Sequence, residues 1–456
     1  MKNKEDTKKC MNIDEIAEVC SDCGNCLFAC PVYNAELLEP TSPRGKVNLI
    51  KWLQDGRLQP DRLNKKFIYQ CALCGSCQHI CTKGVEFVDM MIDYRTAAAG
   101  GKKIPFFKKM ILRLYQSIIF KKLIGVVDIL VKTPLRKKLT IPHRRKANIK
   151  ALYSKKPEQA QYDILFFPGC VLTYFYPEII KKTVSFLKKK GFSVVMPKGM
   201  ECCGFPYLSQ GWKEKFISFR KKNKAIFSQF RFKYLVVPCG TGVMTFKKYY
   251  DFEDRTFEIY ELTEFFYRHI KDAAINPTQF NIENHDRATQ PETIKSFCGS
   301  STGSGEGTFF KKGGGTPNLF TVSLMPFFRS FISKVCRKNK VSEGISKKSP
   351  LVTFHDPCHH LKSLGIAAAP RFFMEQLGES FVDDKSALCC GFGGIFSVGF
   401  PSTSKKILKR KEETLKELGA DTVVTACPGC YLQLRENLSQ KKDKDMDVKF
   451  FIDLFD

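Results

Sequence analysis

Two short cysteine loops near the start of the chain constrain its fold more than any other feature. In each loop, four cysteines are separated by two, two and three residues, and a glycine follows the second cysteine. The eight cysteines are Cys20, Cys23, Cys26, Cys30, Cys71, Cys74, Cys77 and Cys81. Because glycine readily adopts a left-handed backbone, Gly24 and Gly75 fit a chain that turns sharply around a ligand.

This spacing is typical of bacterial 4Fe-4S ligation, in which the fourth cysteine of each loop ligates the other cluster. We therefore expect one cluster held by Cys20, Cys23, Cys26 and Cys81, and a second held by Cys71, Cys74, Cys77 and Cys30. Structural zinc is the alternative, but zinc takes four ligands and would leave cysteines of each loop without a role. Thr82 stands where the first loop has Pro31, which alters a turn and no ligand.

Composition places the protein in a reducing compartment. The 456 residues include 20 cysteines, most of them in ligand-like runs, which indicates metal binding and not a disulfide framework. The length predicts about three domains. The first residues are charged without an apolar signal core, and no apolar run approaches the roughly 20 residues of a membrane span. We expect a cytoplasmic protein, either soluble or peripheral on the cytoplasmic face of the inner membrane.

Positive charge is concentrated in one segment. The net charge is +28, and residues 101–150 carry fifteen Lys or Arg against Asp128 alone. Phe107, Ile111, Leu114 and Ile118 follow helical spacing there. Such a helix either lies on an anionic membrane surface, packs against a partner subunit or spans two domains. A basic surface without a recognition motif gives only non-specific nucleic-acid binding, so we expect no nucleic-acid partner.

Further cysteines mark an internal repeat between residues 161–265 and 350–456. Equivalent cysteines are 188, 187 and 188 residues apart, a regularity that chance does not explain. The first copy contributes Cys170, Cys202, Cys203 and Cys239, and the second contributes Cys358, Cys389, Cys390, Cys427 and Cys430. Gly242 stands where the first copy would have its fifth cysteine.

Each copy alternates short apolar strands with helices, which predicts small parallel α/β units. The expected elements of the first copy are strand Ile164–Phe167, helix Pro177–Lys190, strand Phe192–Met196, helix Trp212–Phe230 and strand Tyr234–Val237. Those of the second are strand Leu351–Phe354, helix Arg371–Leu377, a weak strand Ser380–Val382, helix Ser402–Leu418 and strand Thr422–Thr425. This order puts cysteines just past the carboxyl ends of strands, where open α/β sheets bind ligands.

The five thiols of the second copy suit a third iron–sulfur centre or zinc. The first copy offers only an incomplete metal site. His355, His359 and His360 flank Cys358, and either one of them donates a proton beside a redox centre or all are surface or supporting residues. Arg44 and Lys46, between the two cluster loops, are expected at a solvated helix start, and the alternative is a docking role. Cys10, Cys298 and Cys336 are expected to be non-ligands, the last two in or beside a glycine-rich linker.

Three motifs of the second copy resemble those of the iron–sulfur subunits of glycolate and lactate oxidases. They are His355-Asp-Pro-Cys358-His, Cys389-Cys-Gly-Phe-Gly-Gly394 and Thr425-Ala-Cys427-Pro-Gly-Cys430. The arrangement is also similar to those of anaerobic glycerol-3-phosphate dehydrogenase and heterodisulfide reductase. The expected fold is multidomain α+β, a small helical two-cluster ferredoxin-like domain followed by two repeated α/β cysteine-rich domains. The expected domains are 1–100 for the two-cluster domain, 101–160 for a basic connector, 161–265 for the first repeat, 266–349 for a linker and 350–456 for the second repeat.

The resemblance implies a division of labour. A separate FAD-containing subunit would oxidise a 2-hydroxy acid or glycerol 3-phosphate, and this chain would carry electrons through two 4Fe-4S clusters toward a quinone or another acceptor. No Gly-x-Gly-x-x-Gly follows a strand, so the flavin is expected on the partner. The alternative is a heterodisulfide-reductase-like enzyme acting on a thiol pair, although the missing ligand at Gly242 argues against two equivalent catalytic clusters.

Overall fold

The computed structural model describes residues 19–100, 149–158, 161–200, 202–252, 256–277, 350–439 and 446–455. All of these fall within one unit of the chain, Met1–Ile282 together with Pro350–Asp456. The expectations for the basic segment 101–148, for residues 278–349 of the linker, and for Cys10, Cys298 and Cys336 lie outside the described residues. Among the helices that the structure describes, none is long and apolar enough to cross a membrane.

The amino-terminal part is helical, and its two cysteine loops have matching local structure. Each loop leads through a left-handed glycine into a one-turn helix that ends at the loop's fourth cysteine, Cys30 or Cys81. The helices are α1 Asn25–Ala29, α2 Pro31–Glu36, α3 Pro43–Gln54, α4 Arg62–Tyr69, α5 Ser76–Ile80 and α6 Phe87–Ala99. Helices α1 and α5 pack against each other, so the two loops lie side by side.

Local sequence signals account for the two longer helices. Ser42 Oγ accepts a hydrogen bond from the N–H of Gly45 at 2.8 Å, and Pro43 follows at the first helical position, which together begin α3. Helix α6 ends where Gly100 adopts φ 51°. A serine followed by proline thus sets the start of α3, and a glycine sets the end of α6.

The first repeat forms a four-stranded parallel sheet in the order β2-β1-β3-β4. Its elements are β1 Tyr162–Phe166, α7 Gly169–Phe175, α8 Pro177–Lys189, β2 Val194–Val195, α9 Phe205–Leu208, α10 Lys213–Phe227, β3 Phe232–Val237, α11 Gly240–Tyr249, β4 Glu258–Glu261 and α12 Leu262–His269. The expected strands and helices are all present, with β2 shorter than predicted. Helices α7, α9, α11 and α12 and strand β4 were not predicted.

The second repeat forms a three-stranded parallel sheet in the order β5-β6-β7. Its elements are β5 Val352–Phe354, α13 Cys358–Ser363, α14 Ala368–Met374, α15 Ile395–Gly399, α16 Pro401–Glu417, β6 Thr422–Thr425, α17 Pro428–Leu438 and β7 Asp447–Phe450. The weak strand expected at Ser380–Val382 is wrong. A 3₁₀ segment, Glu375–Ser380, occupies its start, and only Phe381 pairs with β5, as an isolated bridge to Val352.

Both repeats contribute to one hydrophobic core. Ile180 and Leu187 of α8 are fully buried together with Val352, Phe354 and residues of the second repeat up to Phe455. The ring of Phe186 stacks on Phe266 at 5.2 Å and contacts Phe455 at 5.4 Å between centroids. Burial of one large apolar side chain contributes about 1.5–3 kcal/mol, so this shared core holds the repeats together and fixes their cysteines relative to one another.

Candidate metal centres

The backbone of the two cluster loops is curled in the same way. Asp22 and Leu73, at equivalent positions, have φ of 54° and 51°, and the following Gly24 and Gly75 have φ of 83° and 75°. A left-handed backbone is unfavourable for leucine, and such strain persists where the surrounding structure imposes it. The curl turns the loop cysteines toward a common interior, as cluster ligation requires.

Four of the predicted ligands surround one cavity. Cys30, Cys71, Cys74 and Cys77 all line it, together with apolar residues and Lys46. This is the set that the cysteine spacing assigns to the second cluster, with Cys30 contributed by the first loop. Burial raises the pKa of the Cys30 thiol to about 11 and holds that of Cys77 well above its ordinary value.

Buried thiols crowded in this way fit a metal cluster. Neighbouring Cys71 and Cys74 raise the pKa of Cys77 further, because a second thiolate nearby disfavours ionisation. Metal ligation requires the thiolate, and the positive charge of the metal offsets both the burial and the mutual repulsion. The donor set, the cavity and the curled loops therefore all suit a cubane cluster.

Lys46 does not lie where the sequence predicted it. Its side chain was expected at a solvated helix start, but Lys46 is only 1% exposed and its ammonium group donates to the carbonyl oxygen of Thr41. Burial lowers its pKa, while Cys71 and Cys30 oppose that shift. Arg44 remains partly exposed and pairs with Glu39 at 2.9 Å. The helical position of Lys46 could have predicted its burial, because α3 buries Val47, Leu49 and Ile50 on the same side.

The other predicted set lies nearer the surface. Cys23 is exposed, while Cys20, Cys26 and Cys81 are partly buried. Burial raises the pKa of Cys26 to about 11, and Cys20 adds to the shift. Cys81 ends α5 with the same extended backbone with which Cys30 ends α1. The fourth cysteines of the two loops thus occupy equivalent places.

The Cys-Cys-Gly turns of the two repeats have the same geometry. The N–H of Gly204 donates to Cys202 Sγ at 3.4 Å, and the N–H of Gly391 donates to Cys389 Sγ at 3.3 Å. Both glycines are left-handed, and a Cβ at Gly391 would lie 2.6 Å from the carbonyl oxygen of Ser404. Only glycine fits there, so the turn holds two adjacent thiols in a fixed orientation.

The remaining thiols lie just past the carboxyl ends of strands, as predicted. Cys239 and Cys427 each precede the first turn of a helix, α11 or α17, directly after a strand. The thiols of Cys170 and Cys202 lie 3.8 Å apart, and those of Cys390 and Cys430 lie 3.4 Å apart. The structure therefore gathers the cysteines of each repeat at one edge of its sheet.

Position 242 faces the first site without offering a ligand. A Cβ built on Gly242 would lie 4.0 Å from Cys239 Sγ and 3.0 Å from Cγ1 of Val237. The equivalent Cys430 contacts Cys390 in the second repeat. The first repeat thus has the geometry of the second but one thiol fewer.

The two repeats face each other at their cysteines. Helices α11 and α13 pack together, and the thiols of Cys239 and Cys427 lie near enough to shift each other's pKa. Beside them, His360 Nε2 lies 3.7 Å from Glu261 Oε1, both residues being buried. The two candidate sites are therefore adjacent across the repeat interface.

The second cluster loop meets the second repeat directly. Cys358 interacts with Cys74, and this contact together with burial raises the pKa of the Cys74 thiol. Lys362 Nζ donates to Ser76 Oγ at 2.5 Å, and Ser76 Oγ lies 3.2 Å from Cys74 Sγ. Burial alone would lower the pKa of Lys362, but the facing thiols of Cys358 and Cys74 raise it overall. A cation thus lies between the two candidate centres. The location of Lys362 beside these thiols was not predicted from the sequence. Its position four residues after Cys358 in a helix is the sequence feature that could have indicated it.

His355 is buried at the second site without a partner. Its backbone continues the sheet, since its N–H donates to Val424 O at 2.8 Å. Neither ring nitrogen has a hydrogen-bond partner among the described residues, and the residue is 0% exposed. Burial, with the charge of Lys411 adding to it, lowers the pKa of His355 to about 3, so the imidazole is neutral.

Comparison with known proteins agrees with this arrangement. Residues 16–85 match the 4Fe-4S dicluster domain, and residues 164–247 and 352–435 each match the Cysteine-rich domain. Similar proteins include the probable glycolate oxidase iron–sulfur subunit of Bacillus subtilis, which is 23% identical over 92% of this chain and 90% of that protein. The dihydromethanophenazine:CoB–CoM heterodisulfide reductase of Methanosarcina barkeri has a subunit that is 24% identical over 96% of this chain and 92% of its own length. A subunit of the CoM/CoB fumarate reductase of Methanothermobacter marburgensis is 22% identical over 96% and 71%.

Fold, cysteine geometry and similarity together define the class of protein. The chain is an iron–sulfur protein built from a 4Fe-4S dicluster domain and two Cysteine-rich domains. Several of its homologues are subunits of oxidoreductases, among them glycolate oxidase and heterodisulfide reductase.

Proposed function

We propose that this chain is the electron-transfer subunit of an oxidoreductase acting on a 2-hydroxy acid such as glycolate or lactate, or on glycerol 3-phosphate. Clusters held by the two loops supply one-electron transfer. The observation that carries the proposal is the contact of Cys74 with Cys358, because it brings the second cluster loop against the second repeat. The candidate ligands of the second cluster loop thus meet those of the second repeat at Cys74 and Cys358.

The partner subunit delivers electrons at the exposed side of the dicluster domain. Cys23 is exposed there, and Phe28, between Cys26 and Cys30, is 85% exposed. Large exposed aromatic side chains are enriched at protein interfaces. An FAD-containing dehydrogenase is the partner that this surface receives, since the chain has no dinucleotide motif of its own. The basic segment 101–148 brings the complex to an anionic membrane surface, where a quinone is the acceptor.

The adjacency of the two repeats favours a second candidate function. Cys239 and Cys427 interact, so the two candidate metal sites are next to each other, as a thiol or disulfide substrate spanning them would require. In this alternative the chain is a heterodisulfide-reductase-like thiol/disulfide oxidoreductase. The absence of a fifth thiol at Gly242 makes the two sites unequal, so we place this function second.

The experiment uses anaerobically purified full-length protein and the complex isolated through a tag on this chain. Glycolate, lactate and glycerol 3-phosphate are added in turn, and cluster reduction is followed by the loss of visible absorption and by EPR. The proposal predicts reduction by one of these substrates in the flavin-containing complex and none in the chain alone. Reoxidation of the chemically reduced chain alone by a disulfide, with thiol production, would instead establish the second function. Failure of every substrate to reduce a flavin-containing complex would overturn the first.

A further inference from the structure

The second cysteine-rich repeat contains a ligand-like residue that its thiols do not account for. The side chain of His355 lies at the edge of the sheet where the cysteines gather, and one of its ring nitrogens lies within 4.8 Å of both Cys390 Sγ and Cys430 Sγ. All three residues are buried, and the two sulfur atoms are 3.4 Å apart. Cysteines at separate corners of a cubane cluster lie farther apart, whereas ligands of one tetrahedral ion are close neighbours.

A buried imidazole without hydrogen bonds needs another partner to offset its loss of hydration. An imidazole removed from water with neither nitrogen satisfied destabilises the folded protein. His355 has no such partner among the described residues. The surrounding structure nevertheless fixes it, because its N–H and C=O are bonded to Val424 O and Thr425 Oγ1 on β6 at 2.8 and 3.2 Å. The next residue is fixed as well, since Arg371 binds the carboxylate of Asp356 at 2.7 and 3.2 Å.

We propose that His355 is a metal ligand, and that it shares one transition-metal ion of the second repeat with Cys390 and Cys430. Imidazole nitrogen and thiolate sulfur are a donor pair that zinc and iron both accept. On binding, the two thiols release their protons to solvent and the neutral imidazole donates a nitrogen lone pair. A tetrahedral ion takes one further ligand, and either Cys427, which interacts with Cys430, or Cys389, which interacts with Cys390, is a candidate for it.

The inference rests on the part of the proposed function that places a metal centre in the second repeat. It adds a ligand that the cysteine pattern does not reveal. A mixed nitrogen and sulfur environment also distinguishes this ion from the metal of the two cubane clusters, which are held by cysteine alone. That difference supplies a spectroscopic readout that does not depend on activity.

The test uses the full-length protein purified without oxygen from cells fed ¹⁵N-histidine or unlabelled histidine. Metal analysis first identifies the ion beyond the two cubanes. Zinc is then probed by X-ray absorption at the zinc edge, and iron by pulsed EPR of the signal that does not belong to the cubanes. We expect one imidazole nitrogen at bonding distance, seen as histidine scattering at the zinc edge or as a nitrogen coupling that changes with the isotope.

Variants connect the signal to His355. His355→Ala should remove the nitrogen signal and weaken metal retention in the second repeat by roughly tenfold or more. His355→Cys should retain the ion in an all-sulfur environment. His269→Gln is the matched control, because that imidazole packs among Tyr234 and Phe265 in the first repeat, away from the second repeat's cysteines; it should keep the nitrogen signal.

The outcomes separate this inference from the proposed function. An additional ion surrounded by sulfur alone in the wild-type protein would overturn the role of His355 and leave electron transfer untouched. Iron sufficient for two cubanes with no further metal would overturn it as well, again leaving the dicluster domain intact. Absence of iron from the folded protein would refute the proposed function itself.

Discussion

Thr241 Oγ1 lies 2.7 Å from His359 Nδ1, so a hydrogen bond joins the two cysteine-rich repeats beside their candidate metal sites. The other ring nitrogen, Nε2, lies 2.9 Å from the carbonyl oxygen of Leu73 in the second cluster loop. A carbonyl only accepts, so Nε2 carries a proton. Burial lowers the pKa of His359, which favours the neutral ring, and Nδ1 then accepts from the threonine hydroxyl. One neutral imidazole therefore contacts all three cysteine-bearing parts of the protein.

We expect Thr241→Val to loosen this junction, because it leaves Nδ1 of His359 buried without a donor. The cost should be about 1–3 kcal/mol. Hydrogen exchange measures it as faster exchange in α11 and α13 than in the wild-type protein. Thr96→Val is the control, since the Thr96 hydroxyl bonds to Ile92 O at 2.8 Å within its own helix. Equal and small changes in both variants would contradict a linking role for His359.

The positive charge of Lys46 should raise the reduction potential of the second cluster. Its buried ammonium group interacts with Cys30 and Cys71, so replacing it with methionine removes a positive charge that favours the reduced, more negative state. Lys46→Met is expected to lower the potential of that cluster on the order of 100 mV. An EPR-monitored redox titration measures the shift. Lys51→Met, which changes an exposed lysine of the same helix, should have little effect; a similar shift in both variants would refute the assignment.

Exchange of the fourth ligands between the loops can be tested with Cys30→Ala and Cys81→Ala. Each is expected to lose one cluster and to retain about four irons of the pair. The exchanged arrangement predicts that Cys81→Ala keeps the cluster near Lys46, so adding Lys46→Met to it should still lower the remaining potential. Adding the same change to Cys30→Ala should shift the remaining potential much less. The reverse pattern would show that each loop supplies all four ligands of its own cluster.

Gly242→Cys should add the missing ligand to the first repeat. The new Cβ would lie 4.0 Å from Cys239 Sγ and would press on Val237 Cγ1 at 3.0 Å, so Val237→Ala is combined with it. We expect more iron or zinc per chain than in Val237→Ala alone. Gly399→Cys is the matched control, because a Cβ there meets open space away from the site. Unchanged metal content in the double variant would argue against a metal site in the first repeat.

Spacing made the fold and most thiol positions predictable. Cysteines separated by two residues can contact the same ligand wherever the loop folds, and strand-to-helix alternation alone predicts that Cys239 and Cys427 lie at strand ends. Tertiary contacts were not predictable in this way. The meeting of Cys74 with Cys358 joins residues 284 positions apart, and the burial of Lys46 depends on which side of α3 faces the loops. The sequence does not distinguish His355 from other histidines near a cysteine. The structure does, because both of its buried ring nitrogens lack a hydrogen-bond partner among the described residues.

Two 4Fe-4S clusters beside a further metal centre in the second repeat would determine the metal content of the chain. We would therefore measure iron, acid-labile sulfide and zinc per chain in protein purified without oxygen. We expect about eight irons with matching sulfide, together with either additional iron and sulfide or about one zinc. Little iron and stoichiometric zinc in a folded sample would contradict electron transfer and indicate a structural zinc protein.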